Sequence, residues 1–199
     1  IFISPRVRNL AQNPGSECIG SFEGGYIYNA PRVKLRATGF YTNFQNGSDV
    51  LVYFDDDYFG LASYTLTNIN KVHFGGEFGT EVQVYKGISI SLAASVGKYY
   101  YTSRQQGVLT IDNQPDVMQK ETVYSKNFYV PNIPQQAYTL GLSYRSKKFW
   151  YVGANVNFFD RFYTEYAPTH RTARAVDLVP YPSDQWNSII NQQRYNKKG

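Results

Sequence analysis

The sequence predicts an all-β fold: an antiparallel transmembrane β-barrel, of which this chain carries a partial set of about six strands of a larger barrel. Three observations point there. Apolar residues recur at every second position over stretches of about ten residues, the length a tilted strand needs to cross a bilayer. The residues between them are small or hydrophilic (Ser, Gly, Asn, Thr, Glu), as in a confined hydrated interior rather than a soluble sheet's charged outer face. Tight turns alternate with long polar segments, the pattern of a barrel whose two ends meet different compartments.

The elements follow in order. A weaker strand covers Cys18 to Tyr28, with Cys18, Phe22, Tyr26 and Tyr28 opposite Glu17, Ser21 and Glu23. After the tight turn Asn29–Ala30–Pro31, the stretch Arg32 to Tyr41 sets Val33, Leu35, Ala37, Gly39 and Tyr41 against Arg32, Lys34, Arg36 and Thr38. From Val72 to Val84 the apolar set is Val72, Phe74, Gly76, Phe78, Val82 and Val84, with Thr80 its one polar member; His73, Glu77 and Glu81 lie opposite. The turn Tyr85–Lys86–Gly87 leads to Ile88, Ile90, Leu92, Ala94 and Val96, interleaved with Ser89, Ser91, Ala93 and Ser95. Tyr138, Leu140, Leu142 and Tyr144 alternate with Thr139, Gly141 and Ser143. Past Ser146–Lys147–Lys148, the set Trp150, Val152, Ala154, Val156 and Phe158 alternates with Tyr151, Gly153, Asn155 and Asn157.

This periodicity assigns facings. Val33, Leu35, Ile90, Leu92, Leu140, Leu142, Trp150, Val152 and Val156 are expected to face lipid. Arg32, Lys34, Arg36, His73, Glu77, Glu81, Asn155 and Asn157 are expected to face the lumen. Long loops are expected at roughly Gln45 to Tyr64, Ser103 to Gln136, and from Arg161 onward. Tyr26, Tyr28 and Trp150 at one end, and Tyr99, Tyr100, Tyr101, Phe158, Phe159, Phe162 and Tyr163 at the other, suggest interfacial girdles. The competing reading is that Tyr is simply a good strand residue.

Composition agrees and excludes. Aromatics make up 17% of the chain, with 19 Tyr and 13 Phe, which favours pleated strands. Mean hydropathy is −0.45, and no run is long and apolar enough for a membrane helix. A barrel strand, apolar only at alternate positions, carries no such signal. The net charge of +5 admits three readings: a basic surface that attracts nucleic acid or an anionic membrane, an electropositive lumen for an anionic solute, or, the plainest, an ordinary solvated surface. Nucleic acid is not expected as a partner. The single cysteine, Cys18, excludes a disulfide framework and a multi-cysteine metal site, and reads as an inert strand residue.

No catalytic, cofactor or metal residue is expected. Ser-His-Asp, GxSxG, HExxH and P-loop patterns do not occur, although a triad assembled from separate strands would leave no local motif. Asp55–Asp56–Asp57 offers carboxylates for calcium but lacks the spacing of a calcium loop, so a solvated run is the plainer reading. His73, Glu77 and Glu81 are spaced too far along one strand to share a metal and suggest a hydrogen-bonded network. His170, beside Arg171 and Arg174, reads as a solvated loop residue. Arg32, Lys34 and Arg36 form either an electropositive stripe that meets solute or plug, or a salt-bridge ladder with Glu17 and Glu23.

Three stretches resemble TonB-dependent receptors of the Bacteroidetes type: Gly24 to Phe44 (GGYIYNAPRVKLRATGFYTNF), Tyr64 to Thr102, and Ala137 to Val179. INKVHFGGEF and FFDRFYTEYAPTHRTA carry most of the likeness, and together the stretches cover about half the chain. The resemblance implies a 22-stranded barrel, this chain being an internal or C-terminal part of it, with a plug inside. It implies import of a scarce bulky solute (siderophore, haem, cobalamin, glycan or peptide) on energy transmitted by TonB. The implied partners are outer-membrane lipid, the plug domain and remaining barrel strands of a parent chain, the TonB complex, and a surface lipoprotein. Residues 1–199 are expected to be one piece of a single barrel domain, since six strands are too few to close. Chain ends without a leader or a closing strand fit that expectation. Two alternatives stand beside it: a structural β-barrel component of an outer-membrane secretion or adhesion complex, and a soluble β-sandwich binding module.

Overall fold

Eight strands hydrogen-bond into one antiparallel sheet in the computed structural model, which describes residues 15–191 apart from 57, 58 and 113. They are β1 (Cys18–Asn29), β2 (Val33–Asp55), β3 (Gly60–Tyr85), β4 (Ile88–Tyr101), β5 (Gln105–Ile111), β6 (Gln114–Val123), β7 (Gln136–Arg145) and β8 (Tyr151–Asp160). The order β1-β2-β3-β4-β7-β8 makes an open wall of six strands, and β5 and β6 branch from β3. The six wall strands are the six that alternation predicts. At the turn end two residues fall outside their strands: Arg32 lies in the turn before β2, and Trp150 in the turn before β8.

The three turns at one end are short, as expected. Ala30 and Val33 exchange backbone hydrogen bonds at 2.8 and 3.3 Å, and Gly87 takes φ +81°, a left-handed value glycine adopts without strain. The segments at the other end are not loops. β2 and β3 run 23 and 26 residues, so the expected Gln45–Tyr64 loop is instead their continuation as a hairpin. The expected Ser103–Gln136 loop contains the β5–β6 hairpin, paired to the far half of β3 from Ala62↔Ile111 to Thr67↔Gln106.

The physical reason is a pair of bulges. The β2–β3 register shifts between Phe44 and Gly47 and again before Asp49, and Asn46 and Asn68 stand there at φ 58° and 57°. Asparagine tolerates that region better than other non-glycine residues. An inserted residue inverts which positions point to each side. Ile69 keeps the phase of Lys71 and His73, and Leu66 has the opposite phase, yet both pack into one cluster.

That cluster is the hydrophobic core of the described residues: Ala62, Tyr64, Leu66, Leu109, Ile111 and Val123, flanked by Leu51, Tyr53, Ile69 and Tyr166. The wall has no comparable core, and its large apolar side chains stand exposed. The chain beyond β8 covers the extension. It forms short 3-10 turns at Pro168–Arg171 and Arg174–Val176 and a helix, α1 (Asp184–Ile190), whose start is capped by Ser183 Oγ accepting from the Trp186 N–H at 3.2 Å. Buried Arg171 binds this segment together, donating to the Ser188 carbonyl at 3.1 Å and lying 4.5 Å over the Phe128 ring.

Candidate functional site

Directly opposed residues of antiparallel strands project to the same side of the sheet, so the register sorts every wall residue by face. One row runs Lys34–Glu81–Ser91–Gly141–Asn155 and the next Ile27–Arg36–Gly79–Ala93–Thr139–Asn157. Glu77 and His73 continue the same face through Thr38 and Thr42. The opposite face carries Val33–Val82–Ile90–Leu142–Ala154 and Leu35–Thr80–Leu92–Leu140–Val156. Val152 joins it opposite Tyr144, and the Trp150 ring packs 5.3 Å from Tyr144. The polar and apolar sets of the sequence therefore occupy opposite faces of one wall, with Arg32 displaced into the β1–β2 turn.

The charged ladder forms with one change of partner. Arg36 Nη2 lies 3.4 Å from Glu23 Oε1, as expected, while Lys34 Nζ pairs at 3.6 Å with Glu81 on β3 rather than with Glu17. The pleat brings Glu81 directly opposite Lys34. Both pairs are solvated, so each contributes at most about 1 kcal/mol. At the turn end of this face, Arg32, Lys34, Glu81, Gln83, Ser143 and Arg145 surround a polar depression of about 370 Å³.

The expected His73–Glu77–Glu81 network is corrected. His73 sits between the tilted rings of Phe44 at 4.9 Å and Tyr99 at 4.8 Å, and its Nε2 is buried with no hydrogen-bond partner. Phe40 stacks on Tyr99 at 6.4 Å, and Lys71 Nζ lies 4.8 Å over Phe44. Aromatic rings across β2, β3 and β4 give this face an apolar strip where alternation predicts only polar residues. The assignment of Tyr99 to an outer girdle is corrected too: Tyr99 stands on the polar face, and Tyr101 packs against Tyr166 at 6.2 Å. Phe159, opposite Ala137, shares the polar face, whereas Tyr100 packs edge-on against Phe74 of the apolar face.

The extension holds a second depression, about 470 Å³, between the β2–β3 hairpin and residues 165–169. Tyr53, Tyr101 and Tyr166 supply ring surfaces, Asp49 and Glu165 carboxylates, and Gln105 an amide that donates to the Tyr166 hydroxyl at 3.2 Å. Burial, above all, pushes the Tyr166 phenol up. Sequence reading missed this site, because the bulges that bring Asp49 and Tyr53 to the inner side break the periodicity. Behind it, Tyr64 donates to Glu121 at 3.3 Å and Glu121 pairs with Arg174 at 3.1 Å, joining β3, β6 and the final segment. Burial and the Glu121 carboxylate push the Tyr64 phenol up.

The remaining candidates stay apart. Asp55 ends β2, Asp56 sits in the turn, and Asp57 lies outside the described residues. Cys18 is exposed at the start of β1, and His170 is exposed in a 3-10 turn rather than an open loop.

An open antiparallel wall with one apolar and one polar face, short turns at one end and elaborated hairpins at the other, is a partial β-barrel. The family described as "TonB dependent receptor-like, beta-barrel" matches residues 21–188, and the chain belongs to that family. Its members are outer-membrane receptors that transport rather than catalyse. Neither the curated proteins nor the solved structures offer a match.

Proposed function

We propose that this chain is wall and outer rim of a TonB-dependent receptor that imports a scarce bulky solute, a siderophore, haem, cobalamin, glycan or peptide, across the outer membrane. The observation that carries the reading is the two-faced register. Val33, Leu35, Ile90, Leu92, Leu140, Leu142, Val152 and Val156 share one face, which we assign to lipid with Trp150 at its tight-turn end, and Lys34, Arg36, Glu77, Glu81, Asn155 and Asn157 share the other, which we assign to the lumen. The plug and remaining strands come from the parent chain, which engages the TonB complex and, on the surface, a lipoprotein. The Bacteroidetes type and a place in the later barrel rest on INKVHFGGEF and FFDRFYTEYAPTHRTA. The depression lined by Tyr53, Tyr101, Asp49 and Glu165 is the proposed solute contact on this part of the rim.

The test is growth of a strain whose only such receptor is the parent protein, on each of the five solute classes in turn. Growth on one class is expected to require TonB and to fall when residues 105–123 are deleted. Growth on none of the five classes would favour the structural component of a secretion or adhesion complex instead.

A further inference from the structure

At the tight-turn end, cations and exposed aromatic rings lie side by side. The β3–β4 turn presents Tyr85 and Lys86; the β7–β8 turn presents Lys147, Lys148, Phe149 and Trp150. The two turns are neighbours, joined by the Arg145 N–H donating to the Gly87 carbonyl at 2.7 Å. Phe149 is the singular residue. Its backbone is left-handed at φ 63°, and its side chain is 102% exposed. A bulky residue in that conformation, touching nothing of its own chain, gains nothing from the fold. The lysines also lack local compensation: the chain has no Asp or Glu between Glu81 and Asp112, or between Glu121 and Asp160, and Glu81 is paired with Lys34.

We infer that these two turns bind anionic phospholipid. Lys86, Lys147 and Lys148 contact the lipid phosphates, and Phe149 and Trp150 sit just beneath the headgroups, where amphipathic and aromatic rings are favoured. The inference rests on the membrane-wall reading above. An acidic protein segment is the rival occupant; it accounts for the lysines but leaves Phe149 in water.

The experiment uses the full-length receptor in lipid nanodiscs, with every tryptophan but Trp150 changed to phenylalanine. Trp150 fluorescence is quenched with brominated phosphatidylglycerol or brominated phosphatidylcholine at equal bromine content. Stronger quenching by phosphatidylglycerol is expected, weakening with added salt and with each of Lys86→Gln, Lys147→Gln and Lys148→Gln by up to about fivefold in lipid preference. These are exposed turn positions, so the variants are expected to keep the wild-type heat-modifiable gel shift. Equal quenching by the two lipids, or a preference that survives the triple variant, would overturn the site. Absence of quenching by either lipid would overturn the membrane-wall reading as well.

Discussion

The backbone N–H of Asn46 donates to Oδ1 of Asn70 at 2.8 Å, across the place where β2 and β3 change phase. The side chain of Ser103 fastens the same point from β4's end, accepting from the Asn70 N–H at 2.9 Å and donating to the Asn68 carbonyl. This knot is where an exposed two-faced wall becomes a packed rim. Asn70→Ala strips Asn46 of its acceptor and is expected to lower stability by about 0.5–1.5 kcal/mol. Asn46→Gly keeps the left-handed backbone and is expected to cost less than Asn46→Val, which cannot adopt it cheaply. Urea unfolding of the refolded barrel ranks the three, and equal costs for Gly and Val would refute the argument.

Facing is tested at two positions of one strand. Val152→Arg on the apolar face of β8 is expected to cost about 2–4 kcal/mol of insertion stability if it lies near the bilayer midplane. Asn155→Arg, on the polar face, is expected to be tolerated far better. Folding yield into vesicles measures both, and similar losses contradict the assignment.

Two glycines of β3 differ only in their surroundings. A Cβ at Gly75 meets the Val96 carbonyl oxygen at 2.5 Å and Gly97 Cα at 2.7 Å, and Phe40 lies over the same spot. A Cβ at Gly79 meets nothing within 4 Å. Gly75→Ala is therefore expected to destabilise by roughly 1–3 kcal/mol, as overpacking does, and Gly79→Ala to change little. A thermal melt separates them.

The rim and the wall are expected to loosen separately. Tyr64 is fully buried in the rim core, and Tyr64→Ala opens a cavity worth about 3–5 kcal/mol there. Amide exchange is expected to speed in β5 and β6 while β7 and β8, which do not touch the core cluster, keep their protection. Uniform loss across all strands would show the two parts to be one cooperative unit.

Alkali is expected to act on the rim first. The Tyr64 phenol is raised from its ordinary 10.0 by burial and by Glu121, so the folded state holds its proton more tightly than the unfolded chain. That contribution is complete below pH 10.0 and is lost as pH climbs above it, because the unfolded tyrosine then ionises first. Tyrosinate absorbance is expected to lag free tyrosine, and Tyr64→Phe to remove part of the lag. A lag unchanged by that substitution assigns it to other tyrosines.

The amino-acid order by itself determined the wall. A strand with one greasy and one wet side needs only strict alternation, and Val33–Tyr41, Ile88–Val96 and Trp150–Phe158 state it residue by residue, so six strands, three turns and both faces were legible. It also named Glu23 as a partner of Arg36 in one of two readings, and that pair forms although Arg36 lies opposite Ile27 and Glu23 opposite Phe40. Three things were decided only by tertiary structure: which partner Lys34 takes, the place of His73 between Phe44 and Tyr99, and the packed rim. The rim escaped because a bulge at Asn46 and another at Asn68 invert the phase of everything beyond them. Leu51, Tyr53, Tyr64 and Leu66 keep a strand's spacing but turn inward, and their apolar character makes sense only once β5, β6 and Tyr166 are folded against them. Alternation records which side a residue shares with its neighbours two places away; it cannot record what comes from elsewhere in the chain to cover that side.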